Sequence, residues 1–324
     1  MKTVLVTGAL GFVGINMIRL LAQKSNHVIA LAKHPPDRDS LRYLQGMDKY
    51  ITWVEGDITD RESLVMLAQN HQISHVFHAA AVTATRRQEL NQPFLSFDVN
   101  AWGTLNVLEA GRQSNVERII YVSSGGLYGA APPTPIKHET DPLEVKNLYA
   151  IAKLASEHLC FRYNELFEPR IVIGRLGTAY GPMERPTESR ENMSSIYKIT
   201  HAASMNKCVN VVGAEISRDF CHIDDVCNAY LYLLCTDTLH HDIYNIGSPK
   251  SFPLREALDA LVEENPHFSW CEQKHGHRAD VIQTSDNSRA GMDISRIFED
   301  TGWLPKFDLI QGSKSYFHWL QSNK

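Results

Sequence analysis

Asn147-Leu148-Tyr149-Ala150-Ile151-Ala152-Lys153 sets a phenol and an ammonium four residues apart. On a helix this spacing puts both on one face. A free tyrosine ionises at about 10 and is protonated at neutral pH. A neighbouring ammonium favours the phenolate. A shift of three pH units demands roughly 4 kcal/mol of differential interaction. With part of that supplied by Lys153, Tyr149 becomes a general acid/base near neutral pH. The pair alone is common on amphipathic helices, so its meaning rests on its surroundings. Ser123-Ser124 follows an apolar run that begins at Arg118. A serine at the C-terminal edge of a parallel strand faces the ligand crevice.

The elements that must position these groups begin at residues 3–7, a β-branched strand. Gly8-Ala9-Leu10-Gly11-Phe12-Val13-Gly14 follows and opens a helix with Ile15, Ile18, Leu21 and Ala22 on one face. In a strand–glycine–helix unit the first glycine makes the turn, the second admits a pyrophosphate and the third lets helix and strand pack closely. The helix N-terminus offers unpaired N–H groups to the anion. A second strand, residues 27–32, ends in Ala32-Lys33-His34, with Arg38 nearby. An Asp or Glu at that strand end selects NAD. Its absence, with Lys33 and His34 in its place, points to a ribose 2′-phosphate and so to NADP, with NAD as the alternative.

A third strand ends near Gly56-Asp57-Ile58. Asp57 is placed to accept from an adenine amino group with Ile58 on the ring; the alternative for Asp57 is a helix N-cap, a job open also to Thr59 or Asp60. A fourth strand, residues 74–77, leads to His78-Ala79-Ala80-Ala81, where small residues let backbone approach a cofactor. His78 reads as a structural histidine. Asn100 lies within a long helix from Pro93 to Gly111, and a buried amide there needs a partner. A strand at 118–122, a proline-rich loop at 131–135, the Tyr149 helix and a sixth strand at 170–176 complete the alternation. Alternating strands and helices make a doubly wound parallel sheet, an α/β Rossmann-type fold. After residue 178 the pattern changes. The expected division is 1–178, with 217–246 returning to it, and a smaller C-terminal substrate-binding lobe of 179–216 and 247–324. A polar loop at 184–192 carries Arg185 and Arg190 and is placed to lie over a substrate.

The 324 residues are 43% hydrophobic and 21% charged, an ordinary globular mix, and the net charge of −5 argues against nucleic acid as a partner. Six cysteines show no zinc-type spacing, so no metal is expected and reduced thiols in the cytoplasm are. No apolar run reaches the ~18 residues of a membrane span. The N-terminal apolar run is short and enters glycines at once, unlike a signal peptide.

Taken in order, Gly8-x-x-Gly11-x-x-Gly14, Asp57-Ile58, His78-Ala79-Ala80-Ala81, Ser123-Ser124, Leu127-Tyr128-Gly129, Tyr149-x-x-x-Lys153 and Arg218-Asp219-Phe220 resemble the extended short-chain dehydrogenase/reductases, the NAD(P)-dependent epimerase/dehydratase family that includes UDP-galactose 4-epimerase. The resemblance covers essentially the whole chain. It implies Tyr149 as acid/base, Lys153 on the nicotinamide ribose and Ser124 on the reacting oxygen. It implies Gly8, Gly11, Phe12, Val13 and Gly14 on the pyrophosphate, Asp57 and Ile58 on adenine, Ala80 against the cofactor and Asn100 structural beside it. Arg218 and Thr178 are implied on a substrate diphosphate. The implied reaction is hydride transfer at a secondary alcohol or ketone of a nucleotide sugar, as a 4-epimerase or keto-reductase. The alternative is an NADPH-dependent reductase of a small carbonyl or sugar acid. Relatives dimerise through the helices from Pro93 and Pro142, so a homodimer is implied.

Two departures bear on the subfamily. Dehydratases of the family carry Asp-Glu after the Ser/Thr; here Gly125-Gly126 stand there and cannot move a proton. The Arg-Pro-x-Asp signature of relatives is replaced by Gly276-His277-Arg278-Ala279-Asp280, and neither His277 nor Arg278 takes over the role on this reading.

Overall fold

The computed structural model describes residues 2–130, 136–274, 276 and 278–323. The proline-rich loop and His277 lie outside them. Seven strands form one parallel sheet: β1 (Thr3–Thr7), β2 (His27–Ala32), β3 (Ile51–Glu55), β4 (His75–His78), β5 (Arg118–Ser124), β6 (Arg170–Leu176) and β7 (Ile243–Ile246), in the order β7-β6-β5-β4-β1-β2-β3. The order reverses between β1 and β4, which opens a crevice at their C-terminal ends. Strands buried on both faces carry continuous Val/Ile/Leu runs, as β1 and β6 do. One core layer packs α1 (Phe12–Gln23) and a helix at Ile223–Cys235 on one face; the other packs Leu64, Val107, Leu108 and Cys160 on the opposite face. A separate core is built on Ile196, Ile199, Leu258, Leu261 and Tyr316.

The helix expected from Pro93 to Gly111 runs from Leu95 to Gln113 but is not uniformly α: Asp98–Trp102 form a π-turn. That turn frees the Asn100 carbonyl, which accepts from Thr104 Oγ1 at 2.6 Å and from Ser156 Oγ at 2.7 Å. π-turns of this kind gather at functional sites. Ser156 lies on α2 (Leu148–Leu166), the helix that bears Tyr149, so the π-turn ties its neighbour helix to the catalytic one.

Candidate active site

β1 delivers Gly8 at φ +66°, a left-handed conformation in which a Cβ would lie 2.7 Å from Ala80 Cα. A Cβ on Gly14 would sit 2.1 Å from the Gly8 carbonyl oxygen. Only glycine lets α1 start this close to β1 and β4. Gly11 caps α1 without a side-chain partner, and the first turn has no acidic residue, so its N–H groups are left for an anion. Phe12 is buried beneath the Arg190 guanidinium, 5.4 Å from its ring centre, and Val13 is half-buried. Gly8, Gly11, Lys33, His34, Ile58 and Ala80 line one cavity of about 540 Å³. A cavity lined by Gly8 and Gly11 at the start of α1 and by Ile58, Val82 and Val99 on an apolar wall fits a dinucleotide. Asn100 props that wall: its amide takes the Val82 N–H at 2.8 Å and donates to the Val82 carbonyl at 2.9 Å. His78 is fully buried between Thr7 (2.7 Å) and Thr104 (3.0 Å), as a structural histidine should be, and burial pushes it down to about 3.

The structure corrects the charge reading at the adenosine end. Lys33 Nζ is 2.7 Å from Asp57 Oδ2, so its charge is already paired. Burial works to raise the Asp57 carboxyl, but the Lys33 ammonium and the Thr59 N–H outweigh it and hold it low. Asp57 does not cap the following helix; Asp60 does. Nor is the β2 end free of carboxylates. Asp37, five residues past Ala32, lines the cavity and binds Arg185 Nη1 at 2.8 Å. Arg185 thus faces the cofactor cavity and not only a substrate.

At the other end β5 presents Ser124, whose Oγ accepts the Gly126 N–H at 3.1 Å and hydrogen-bonds the Tyr149 hydroxyl. The two groups expected to act together, Tyr149 and Lys153, both lie on α2. Lys153 Nζ donates to the Val122 carbonyl at 2.8 Å and lies 4.7 Å from the Tyr121 ring centre. Burial lowers Lys153 to about 8. Burial raises Tyr149, against the Ser124 hydrogen bond and the charge of Arg190. Beneath the pair, Glu157 accepts from Ser123 Oγ at 2.6 Å and from Arg175 at 2.8 and 3.0 Å, all buried. This ion pair clamps β5 to α2 and β6.

Thr178 Oγ1 donates to Asp219 at 2.6 Å and accepts from Arg218 Nη2 at 3.2 Å. Arg218 Nε is buried without a partner. Burial lowers Arg218 and Arg289 alike, and the charge of Arg289 adds to the effect on Arg218. The nearby Asp219 carboxylate offsets part of that effect for each arginine. Arg289 was not singled out in the sequence; it sits in a polar stretch with no periodicity to mark it.

The model of the NAD dependent epimerase/dehydratase family matches residues 4–247. This chain belongs to that family. It is similar to the UDP-glucuronate 4-epimerase of Thermodesulfobacterium geofontis (28% identity, 98% of this chain, 96% of the relative). It is also similar to the dTDP-D-glucose 4,6-dehydratase of Bos taurus (27%, 99% and 89%). Among solved structures, the UDP-glucose 4-epimerase of Thermus thermophilus, in complex with NAD, superposes with a TM-score of 0.82 at 26% identity over 98% of each chain. The chain is accordingly an extended short-chain dehydrogenase/reductase, an enzyme that works by hydride transfer with a nicotinamide cofactor.

Proposed function

We propose that this enzyme is a 4-epimerase of a nucleoside diphosphate sugar that keeps NAD bound through its cycle. The observation that carries the epimerase reading is the packing around Gly125. A Cβ there would lie 3.1 Å from Met292 Cε and 3.2 Å from the Leu176 carbonyl; one on Gly126 would lie 3.1 Å from Ser124 Oγ. Residues 125 and 126 thus offer no carboxylate for dehydration beside Ser124, and a side chain at either position would crowd its neighbours. The reading of NAD over NADP is supported by the Lys33–Asp57 and Arg185–Asp37 pairs. A 2′-phosphate would have to break them and bring its own charge next to two carboxylates.

Gly8, Gly11, Phe12, Val13 and Gly14 would hold the pyrophosphate, Ile58 the adenine and Lys153 the nicotinamide ribose. The bound nicotinamide supplies a hydride acceptor and donor. Tyr149 removes the proton from the substrate hydroxyl and later returns one. Ser124 hydrogen-bonds the same oxygen. Arg218 and Arg289, with Thr178, bind the diphosphate, and Arg218 Nε gains the partner it lacks. The substrate lobe in this reading is 179–216 with 247–324.

Phe94, Trp102 and Leu166 expose half or more of their surface on the helices expected to meet a second subunit, which supports a homodimer. All six cysteines are free, which supports a cytoplasmic location. Among the described residues no helix is long and apolar enough to cross a membrane, and no cluster of metal ligands is found.

The test is incubation with UDP-, dTDP- and GDP-sugars and separation of the products. Conversion to a 4-epimer with no net change in reduced nicotinamide is expected. Stoichiometric consumption of NADPH, or reaction only with carbonyls that lack a nucleotide, would replace this reading with the reductase.

A further inference from the structure

The dinucleotide cavity is bridged. Residues 185–189 come from the substrate side of the chain and form one of its walls. They are shaped by a small antiparallel turn in which Thr187 N donates to Arg190 O at 3.0 Å and Arg190 N to Thr187 O at 3.1 Å. On one rim Arg185 reaches Asp37 and Ser40 Oγ, both at 2.8 Å. On the other rim Thr83, just past β4, donates its N–H to Ser189 O at 2.9 Å and its hydroxyl to the same oxygen at 3.1 Å. The root is fixed as well. Glu184 is buried and accepts from Arg190 Nη2 and Ser194 N at 2.7 Å and from Ser194 Oγ at 2.8 Å. The Pro182 carbonyl accepts from Asn16 of α1 at 3.0 Å. A segment tied to both rims lies across whatever occupies the cavity.

We propose that the Asp37–Arg185 pair is the latch of this strap and sets how long the dinucleotide stays bound. The inference rests on the cofactor reading above. A nucleotide seated between Gly11 and Ile58 would lie against residues 185–189, which line the same cavity. The Thr83 end is held by two hydrogen bonds to one backbone oxygen. The Arg185 end is held through a side chain, so it is the end that opens with less rearrangement. Retention is what separates an enzyme that takes back its own hydride from one that exchanges its cofactor every cycle. Arg185 and Asp37 are thus positioning residues for the cofactor and take no part in proton transfer at Tyr149.

The test follows the fluorescence of NADH bound to the full chain after mixing with excess NAD. Release from the wild type is expected to be slow. Arg185→Ala and Asp37→Asn should each speed it by about two- to fivefold, the effect that a part-exposed ion pair carries. The exchange Asp37→Arg with Arg185→Asp should recover part of the slow rate, which loss of folding or of a helix cap would not do. Equal release rates in the wild type and all three variants would overturn the latch and leave the cofactor reading standing. Failure of the wild type to bind NADH or NADPH would overturn both.

Discussion

The catalytic end and the adenosine end of the same crevice are built in opposite ways. At the catalytic end, Ser124, Tyr149 and Lys153 come from one strand and the helix that packs on it, within thirty residues of one another. Their frame is internal: the Glu157–Arg175 pair, the Lys153–Val122 bond and the π-turn at Asn100. At the adenosine end, charge pairing joins Lys33 to Asp57 and Asp37 to Arg185, groups from separate loops and from the far lobe. The first end is fixed by secondary structure and burial. The second is an assembly of part-exposed ion pairs, each weak alone. Chemistry is held rigid, whereas cofactor choice and retention sit on contacts that single substitutions retune.

If this contrast holds, Tyr149→Phe has the largest effect: kcat falls by about 10³-fold while NADH affinity, read by fluorescence titration, stays within about threefold. Equal loss of binding would mean that Tyr149 is part of the frame. Gly14→Ala comes next. Its Cβ meets backbone, not a flexible side chain, so dinucleotide affinity should drop about 100-fold or more, with a lower melting temperature. Arg289→Ala should raise KM for the nucleotide sugar by about 10–100-fold with little change in kcat, as loss of a charged hydrogen bond implies.

The frame itself is probed by pH. His78 stays neutral in the fold down to about 3, while an unfolded histidine takes a proton near its ordinary value of 6.5. Below 6.5 the unfolded chain therefore binds more protons, and stability falls as pH falls. At pH 5 this amounts to about 2 kcal/mol relative to pH 7, measured by urea denaturation. His78→Gln should flatten that slope. The smallest effect is expected at the adenosine end. Asp57→Asn frees Lys33 and should shift the NADP-to-NAD affinity ratio by about tenfold toward NADP. No shift would show that Lys33 is not part of cofactor selection.

The elements were legible because their signals are local. A β-branched run, a Gly-x-x-Gly-x-x-Gly turn and a 3.6-residue period each lie within a short window, and six of the seven sheet strands fall where the alternation up to residue 178 puts them. Strand β7 comes after that alternation has ended. The π-turn is not legible in the sequence because its side chains fit an α-helix equally well. The pairing of Lys33 is not legible for a different reason: its partner Asp57 follows β3, which only the sheet places beside β2.

By itself the sequence determined the parallel sheet, the glycine turn and the absence of an acid pair after Ser124, and it marked Ser124, Tyr149 and Lys153 as the candidate catalytic set. All of these depend on residue type and near spacing. Only the tertiary structure decided that Lys153 donates to the Val122 carbonyl, that Arg289 stands beside Arg218, and that Arg185 reaches across to Asp37. Those are pairings between residues up to about 150 positions apart. Their partners are chosen by how the lobe docks on the sheet, and Coulomb energy reports distance in space, which the order of residues along the chain does not contain.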